Sequence, residues 1–166
     1  TVTAIHEDQD GYLWVGTSLG LNRMDPNTDH FTVYINEIGT NNEAHGSNHV
    51  TVIHGTEVGT LWIGTTRTLD KYAPQKHRFD RFLDYGFTGT LLETRDGTVW
   101  IGNTEGLYKL DEKLQEIAAY RHDPDDPDSL GGAEVSAIVE DREGHLWVGT
   151  EDGGVNRRER SSGTFT

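Results

Sequence analysis

The 166-residue chain contains no cysteine, which removes disulfides, thiolate zinc sites and cysteine nucleophiles together and leaves cytosol and periplasm both open. Basic side chains are scarce, 14 against 28 acidic ones. That balance repels phosphate backbones and argues against a nucleic-acid partner. No apolar run reaches the roughly 18 residues of a membrane-spanning helix, and no leader-like segment occurs within these residues. The segment is therefore expected to make no membrane contact. Only a third of the sequence is hydrophobic, enough for one modest core. The chain opens on Thr1 rather than Met, so it is expected to be a processed or excised piece of a longer protein. No Ser-His-Asp order, phosphate loop or close carboxylate pair can be located. No catalytic residue, metal ligand or cofactor is nominated.

What is abundant is glycine, 20 residues, and what recurs is tryptophan. Trp14, Trp62, Trp100 and Trp147 are spaced by 48, 38 and 47 residues. Alignment on them brings Ile5, Ile53, Leu91 and Ile138 into register nine residues earlier. Gly11, Gly59, Gly97 and Gly144 fall three before each Trp, and Gly16, Gly64, Gly102 and Gly149 two after it. Repeats of this period signal solenoids or propellers.

Each unit reads as four short strands. The first, "VTAI" or "VSAI", is rich in β-branched residues and ends in a polar turn closed by glycine, the signature of a hairpin. The second, "YLWVGT", is apolar on both faces, because Leu13 and Val15 point one way and Trp14 the other. The third and fourth, "GLNRMD" and "FTVY", are joined by a turn holding Pro26, where a missing donor does no harm. Four antiparallel strands in about 40 residues, with a doubly apolar second strand, define a propeller blade. The prediction is an all-β fold: a β-propeller of about four four-stranded antiparallel blades, at about 1–47, 48–86, 87–132 and 133–166, forming one domain. Stacking of blades would bury each Trp in a seam, with the glycines supplying positive φ at Gly11 and close backbone approach at Gly16.

The pattern "V-x-A-I-x-E-D-x-x-G-x-L-W-V-G-T-x-x-G-L-x-R", followed by "Y-x-H-D-P-x-D-P-x-S-L", resembles the two-component regulator propeller repeat. Residues 1–23 and 120–150 carry it most closely. The second blade departs from it, with Gly55 and Thr56 in place of Glu-Asp and Thr68 in place of Gly20, and the fourth has an extra glycine in "EDGGV". The resemblance implies a partial wheel of a seven-bladed parent, ahead of an immunoglobulin-like domain, a membrane span and a cytoplasmic kinase or other output domain. It further implies a periplasmic sensor that, in some members, detects polysaccharide fragments. An incomplete arc exposes two apolar blade faces, so self-association, as a homodimer closing an eight-bladed ring, is expected.

Long connectors carry the candidate site, because connections hold function when the scaffold is rigid. Those at 35–49 and 121–134 should share a face with the loops between second and third strands. Asn41, Asn42, His45, Asn48, His49, Arg67, Tyr85 and His122 are nominated there as ligand-binding residues, with an oligosaccharide as the ligand. The acidic string Asp123, Asp125, Asp126, Asp128 admits a calcium reading, but Asp-Pro strings also make turns, and the turn reading is preferred. Arg23, Lys71, Lys109 and Arg157 recur at one position, where they would bridge to a neighbouring blade or to solvent. Two rival functions stay open: an enzyme similar to streptogramin lyase, and a passive interaction scaffold.

Overall fold

A computed structural model describes residues 1–34, 49–56, 59–73, 78–83, 88–110 and 116–166 of the chain. All regular structure among them is β-strand. The contacts divide the chain into two compact units, Thr1–Thr88 and Gly89–Thr166. The first unit holds two four-stranded sheets. One is formed by β1 (Val2–Glu7), β2 (Leu13–Thr17), β3 (Gly20–Met24) and β4 (Phe31–Tyr34), the other by β5 (Val50–Gly55), β6 (Leu61–Thr65), β7 (Leu69–Ala73) and β8 (Arg78–Leu83). A third four-stranded sheet comprises β9 (Thr88–Glu93), β10 (Val99–Asn103), β11 (Gly106–Leu110) and β12 (Glu116–Tyr120). The fourth contains β13 (Val135–Glu140), β14 (Leu146–Thr150) and β15 (Gly154–Arg158). Every strand lies beside its neighbour in sequence, the meander of a propeller blade. The fourth sheet has three strands; at its outer edge Phe165 makes a single bridge to Arg158, and Arg157 and Thr166 exchange backbone hydrogen bonds of 2.8 and 3.0 Å.

The hairpin glycine Gly11 sits at φ 81, in the left-handed region, as do its three counterparts. A second device is invisible to strict alternation. The first strand of three sheets carries a register shift, between Val2 and Ala4, Val50 and Val52, and Val135 and Ala137. A bulge inserts one residue, so side chains three apart, such as Val50 and Ile53, turn to one face. Both join the core of the first unit, and Val135 and Ile138 do the same in the second.

Each unit is held by one such seam. In the first, fully buried Trp14 packs with Tyr34 (rings 5.8 Å apart, stacked) and edge-on to Tyr72 (4.8 Å), against Val50, Ile53 and Ile63 of the next sheet. A Cβ on Gly16 would lie 2.5 Å from Cγ1 of Val50. The glycine thus seats a neighbour's side chain, not its backbone as the sequence suggested. Gly102 seats Val135 in the same way, beneath Trp100. Trp62 is also buried, but Trp147 is 38% exposed, contrary to the expectation that every indole would be covered. Leu146 and Val148 face the core of the second unit, and alternation turns Trp147 to the opposite side.

Candidate functional site

The turn between the first two strands is built around a carboxylate six residues before the tryptophan. Asp8 Oδ1 accepts the backbone N–H groups of Asp10 and Tyr12, both at 3.0 Å, while Oδ2 accepts the indole N–H of Trp14 at 2.7 Å. Asp141 repeats the arrangement with Glu143, His145 and Trp147. These charge-assisted bonds, the indole of Trp147 first, push the Asp141 carboxyl down to about 2.

Beside the first of these turns, between the two sheets of the first unit, lies a cavity of about 440 Å³. That volume falls within the usual range of small-molecule sites. Its wall includes the Arg23 guanidinium, which stacks 3.7 Å from the centroid of Tyr12 and donates to the Tyr72 hydroxyl at 3.1 Å. Burial opposes the charge on Arg23, but the hydroxyls of Tyr12 and Tyr34 outweigh it and hold its pKa above the ordinary value. Burial also pushes the Tyr72 phenol up, so both hydroxyl and guanidinium keep their protons. His6, Glu7, Asp10 and Thr60 complete the mouth. The site offers a stacked cation, phenol donors and rim carboxylates around an apolar floor at Leu61.

The cavity lies where the second blade departs from the repeat. In the second unit, Glu140 reaches across the corresponding seam to accept the backbone N–H of Arg95 at 3.0 Å, and Arg95 Nη1 donates to the carbonyl of Arg142 at 3.2 Å. Only about 230 Å³ remains there. In the first unit the position of Glu140 is taken by Gly55, whose missing side chain leaves room for the His6 ring. Gln9 reaches the carbonyl of Thr56, at 3.5 Å. The sequence shows the Gly55-Thr56 departure, but not the hollow beside it.

Of the nominated residues, the three that are described, His49, Arg67 and His122, do not line this cavity. His49 and Arg67 come together at the opposite end of β5 from the cavity: the His49 carbonyl accepts the N–H of Thr66 at 3.1 Å, next to exposed Arg67. His122 belongs to the second unit, where its Nδ1 lies 2.6 Å from the carbonyl of Leu130. Asn41, Asn42, His45, Asn48 and Tyr85 lie outside the described residues. The Asp-rich connector makes two successive turns, with Asp123 and Asp126 accepting the N–H groups of Asp125 and Asp128, each at 3.0 Å. It is pinned by Leu130, 1% exposed in the core, and by the extra glycine: a Cβ on Gly153 would overlap the backbone of Gly131. Among the described residues no group of three or more His, Asp and Glu side chains is placed to hold a metal ion.

The recurring base is also re-read. Its register partner across the second and third strands is the tryptophan itself, as in Trp14–Arg23 and Trp100–Lys109. The four cations therefore stand over the four indoles at 5.4 to 5.9 Å, within cation–π range, and Arg23 also bridges to the neighbouring blade through the Tyr72 hydroxyl, as the sequence reading expects.

The strand order, the seams and the repeated turn define a β-propeller segment. The two-component regulator propeller family model matches residues 1–18 and 129–152, so both stretches carry that repeat. No curated protein sequence matches the chain. Among solved structures, two extracellular domains from B. thetaiotaomicron, described as parts of hybrid two-component systems, share the fold. One has a TM-score of 0.82 at 20% identity, over 99% of this chain and 24% of its own length. The other has 0.83 at 24% identity, over 98% and 22%. A streptogramin B lyase aligns with a TM-score of 0.70 at 15% identity, over 99% and 53%. The chain thus spans about a quarter of the length of the two receptor domains.

Proposed function

We propose that this chain is a ligand-recognition segment of the extracytoplasmic propeller of a bacterial two-component receptor, and that it is not itself an enzyme. The observation that carries this reading is the coincidence of the regulator-propeller repeat at both ends of the chain with a fold shared along nearly its whole length with extracellular receptor domains. The periplasm is the compartment the reading assigns. Carbohydrate fragments are the ligand class. Support for them comes from the Tyr12–Arg23–Tyr72 cavity, where an aromatic face and fixed donors stand together, the combination a polyhydroxylated ring requires. A ligand would signal only through a difference in affinity between two arrangements of the receptor.

Thermal-shift titration against a panel of neutral and acidic oligosaccharides tests this. Reproducible stabilisation by one class, lost in Arg23→Gln, supports sensing through the cavity. Silence across the panel with the folded chain would sink the carbohydrate assignment.

A further inference from the structure

Among the described residues no carboxylate pairs with Arg23. The side chain stands opposite Trp14 in the register of β2 and β3, on the face of the first sheet that the second sheet covers, so its surroundings are set within the first unit. Elsewhere the chain pairs such cations, Arg81 with Asp70 and Arg95 with Glu140. Glu140 carries its carboxylate across the second seam; its counterpart in the first is Gly55, which offers none.

What surrounds Arg23 instead is a set of phenols. It lies over the ring of Tyr12, donates to the Tyr72 hydroxyl and meets the hydroxyl of Tyr34. A guanidinium brings five N–H donors and each phenol one more, against three phenol oxygens that accept. The network has more donors than acceptors. Asp8 lines the same cavity but spends its two oxygens on the N–H groups of Asp10, Tyr12 and Trp14. The wall beside Arg23 therefore asks its ligand for acceptors and for negative charge.

Two rim carboxylates, Glu7 and Asp10, oppose an anion. Both are exposed, so water and salt screen them, whereas Arg23 is half-buried between two sheets, where a contact between charges is several times stronger. The inner cation prevails. We infer that the cavity recognises an anionic group of its ligand through Arg23, so that a carbohydrate fragment bound there carries a carboxylate, as a uronic acid does. This rests on the carbohydrate reading above and narrows it to acidic fragments. A planar guanidinium matches a carboxylate with two parallel hydrogen bonds, and His6 and Thr60 are left for the hydroxyls of the same ring.

Isothermal titration of the full 166-residue chain with matched sugars tests the inference: trigalacturonate against galactotriose, and cellobiouronate against cellobiose. The acidic member of a pair should bind about tenfold or more tightly than its neutral partner at low ionic strength. Arg23→Gln, with folding checked by circular dichroism, should erase that ratio, and Arg23→Lys, which keeps the charge and loses the fork, should retain part of it. A merely structural role for Arg23 would weaken both members alike. Neutral sugars that bind as tightly as their acidic partners, or that bind alone, overturn the inference and leave the carbohydrate reading standing; so does a preference for the acid that survives Arg23→Gln. Should neither these sugars nor any of the thermal-shift panel bind, the carbohydrate reading falls and takes this inference with it.

Discussion

Asp8 Oδ2 accepts the indole N–H of Trp14 at 2.7 Å, and Asp141 Oδ2 accepts that of Trp147 at 2.9 Å. One carboxylate thereby closes a hairpin and fixes the rotamer of the side chain that fills the seam. The two sites share chemistry and differ in burial, since Trp14 is 0% exposed and Trp147 38%. An unpaired donor costs most where water cannot replace the lost acceptor. Asp8→Ala should therefore destabilise the first unit by about 2–3 kcal/mol, and Asp141→Ala should cost clearly less. Chemical denaturation of the two variants measures the difference. An NMR titration should find the Asp141 carboxyl ionised down to a pH of about 2. Its stabilising bonds are intact above the unfolded value and fade as pH falls through the folded one.

The blade pattern was legible because it is one-dimensional. A glycine, a doubly apolar strand and a tryptophan recur at fixed offsets, and each has a local cause in turn conformation or strand alternation. The Asp-Trp clamp was also written there, six residues apart, but it read as an ordinary turn because the indole N–H has no sequence signature. The bulge at Val50 was hidden for the opposite reason: period 2 predicts opposite faces for Val50 and Ile53, and only tertiary packing turns both into the seam. The cavity needed the same third dimension. Gly55 was recognised as a departure from the repeat, yet what it leaves empty depends on Arg23 and Tyr72, which belong to other strands.

Glycines at equivalent positions should respond unequally to one substitution. At Gly102 a new Cβ would sit 2.5 Å from Cγ1 of buried Val135 and 2.7 Å from Cγ2 of half-buried Thr90. Overpacking of that kind costs about 1–3 kcal/mol. Gly149 has only ordinary contacts, so Gly149→Val should change monomer stability by no more than about 0.5 kcal/mol. Thermal melts of Gly102→Val and Gly149→Val at low protein concentration separate the two. Equal losses would mean that position in the repeat, rather than occupancy of the seam, sets the cost.

Thr68, a departure from the glycine of the first blade, serves a buried network. Its hydroxyl donates to Asp70 Oδ2 at 2.7 Å and lies 2.9 Å from the Thr65 hydroxyl, while Arg81 Nε approaches Asp70 Oδ1 at 3.5 Å. Asp70 is 2% exposed, so its charge depends on these neighbours. Removal of one partner leaves a carboxylate that water cannot reach. Arg81→Met should cost about 2–3 kcal/mol, and Thr68→Gly about 1–2 kcal/mol. Asp70→Asn in the Arg81→Met background should recover part of the loss, because the neutral amide no longer needs the cation. Urea unfolding of the three variants decides the matter, and no recovery in the double variant would show that Arg81 acts through packing alone.

His54 should make stability fall on mild acidification. Burial is the main cause that pushes its imidazole below the ordinary value, and the nearby His6 adds to the effect. A depressed folded value means that the unfolded chain takes up the proton first. Stability is therefore full above the ordinary imidazole value of about 6.5 and declines as pH drops below it, until the folded-state imidazole also protonates. His54→Asn keeps a polar group and removes the titration, so its melting temperature should vary less between about pH 7.5 and about pH 5.5 than that of the wild type. His6→Asn should give an intermediate slope, since it relieves the charge contribution and leaves the burial. If His54→Asn kept the full wild-type slope, the acid sensitivity would have to come from the chain's other histidines and carboxylates, and the half-buried imidazole at the end of β5 would be a bystander.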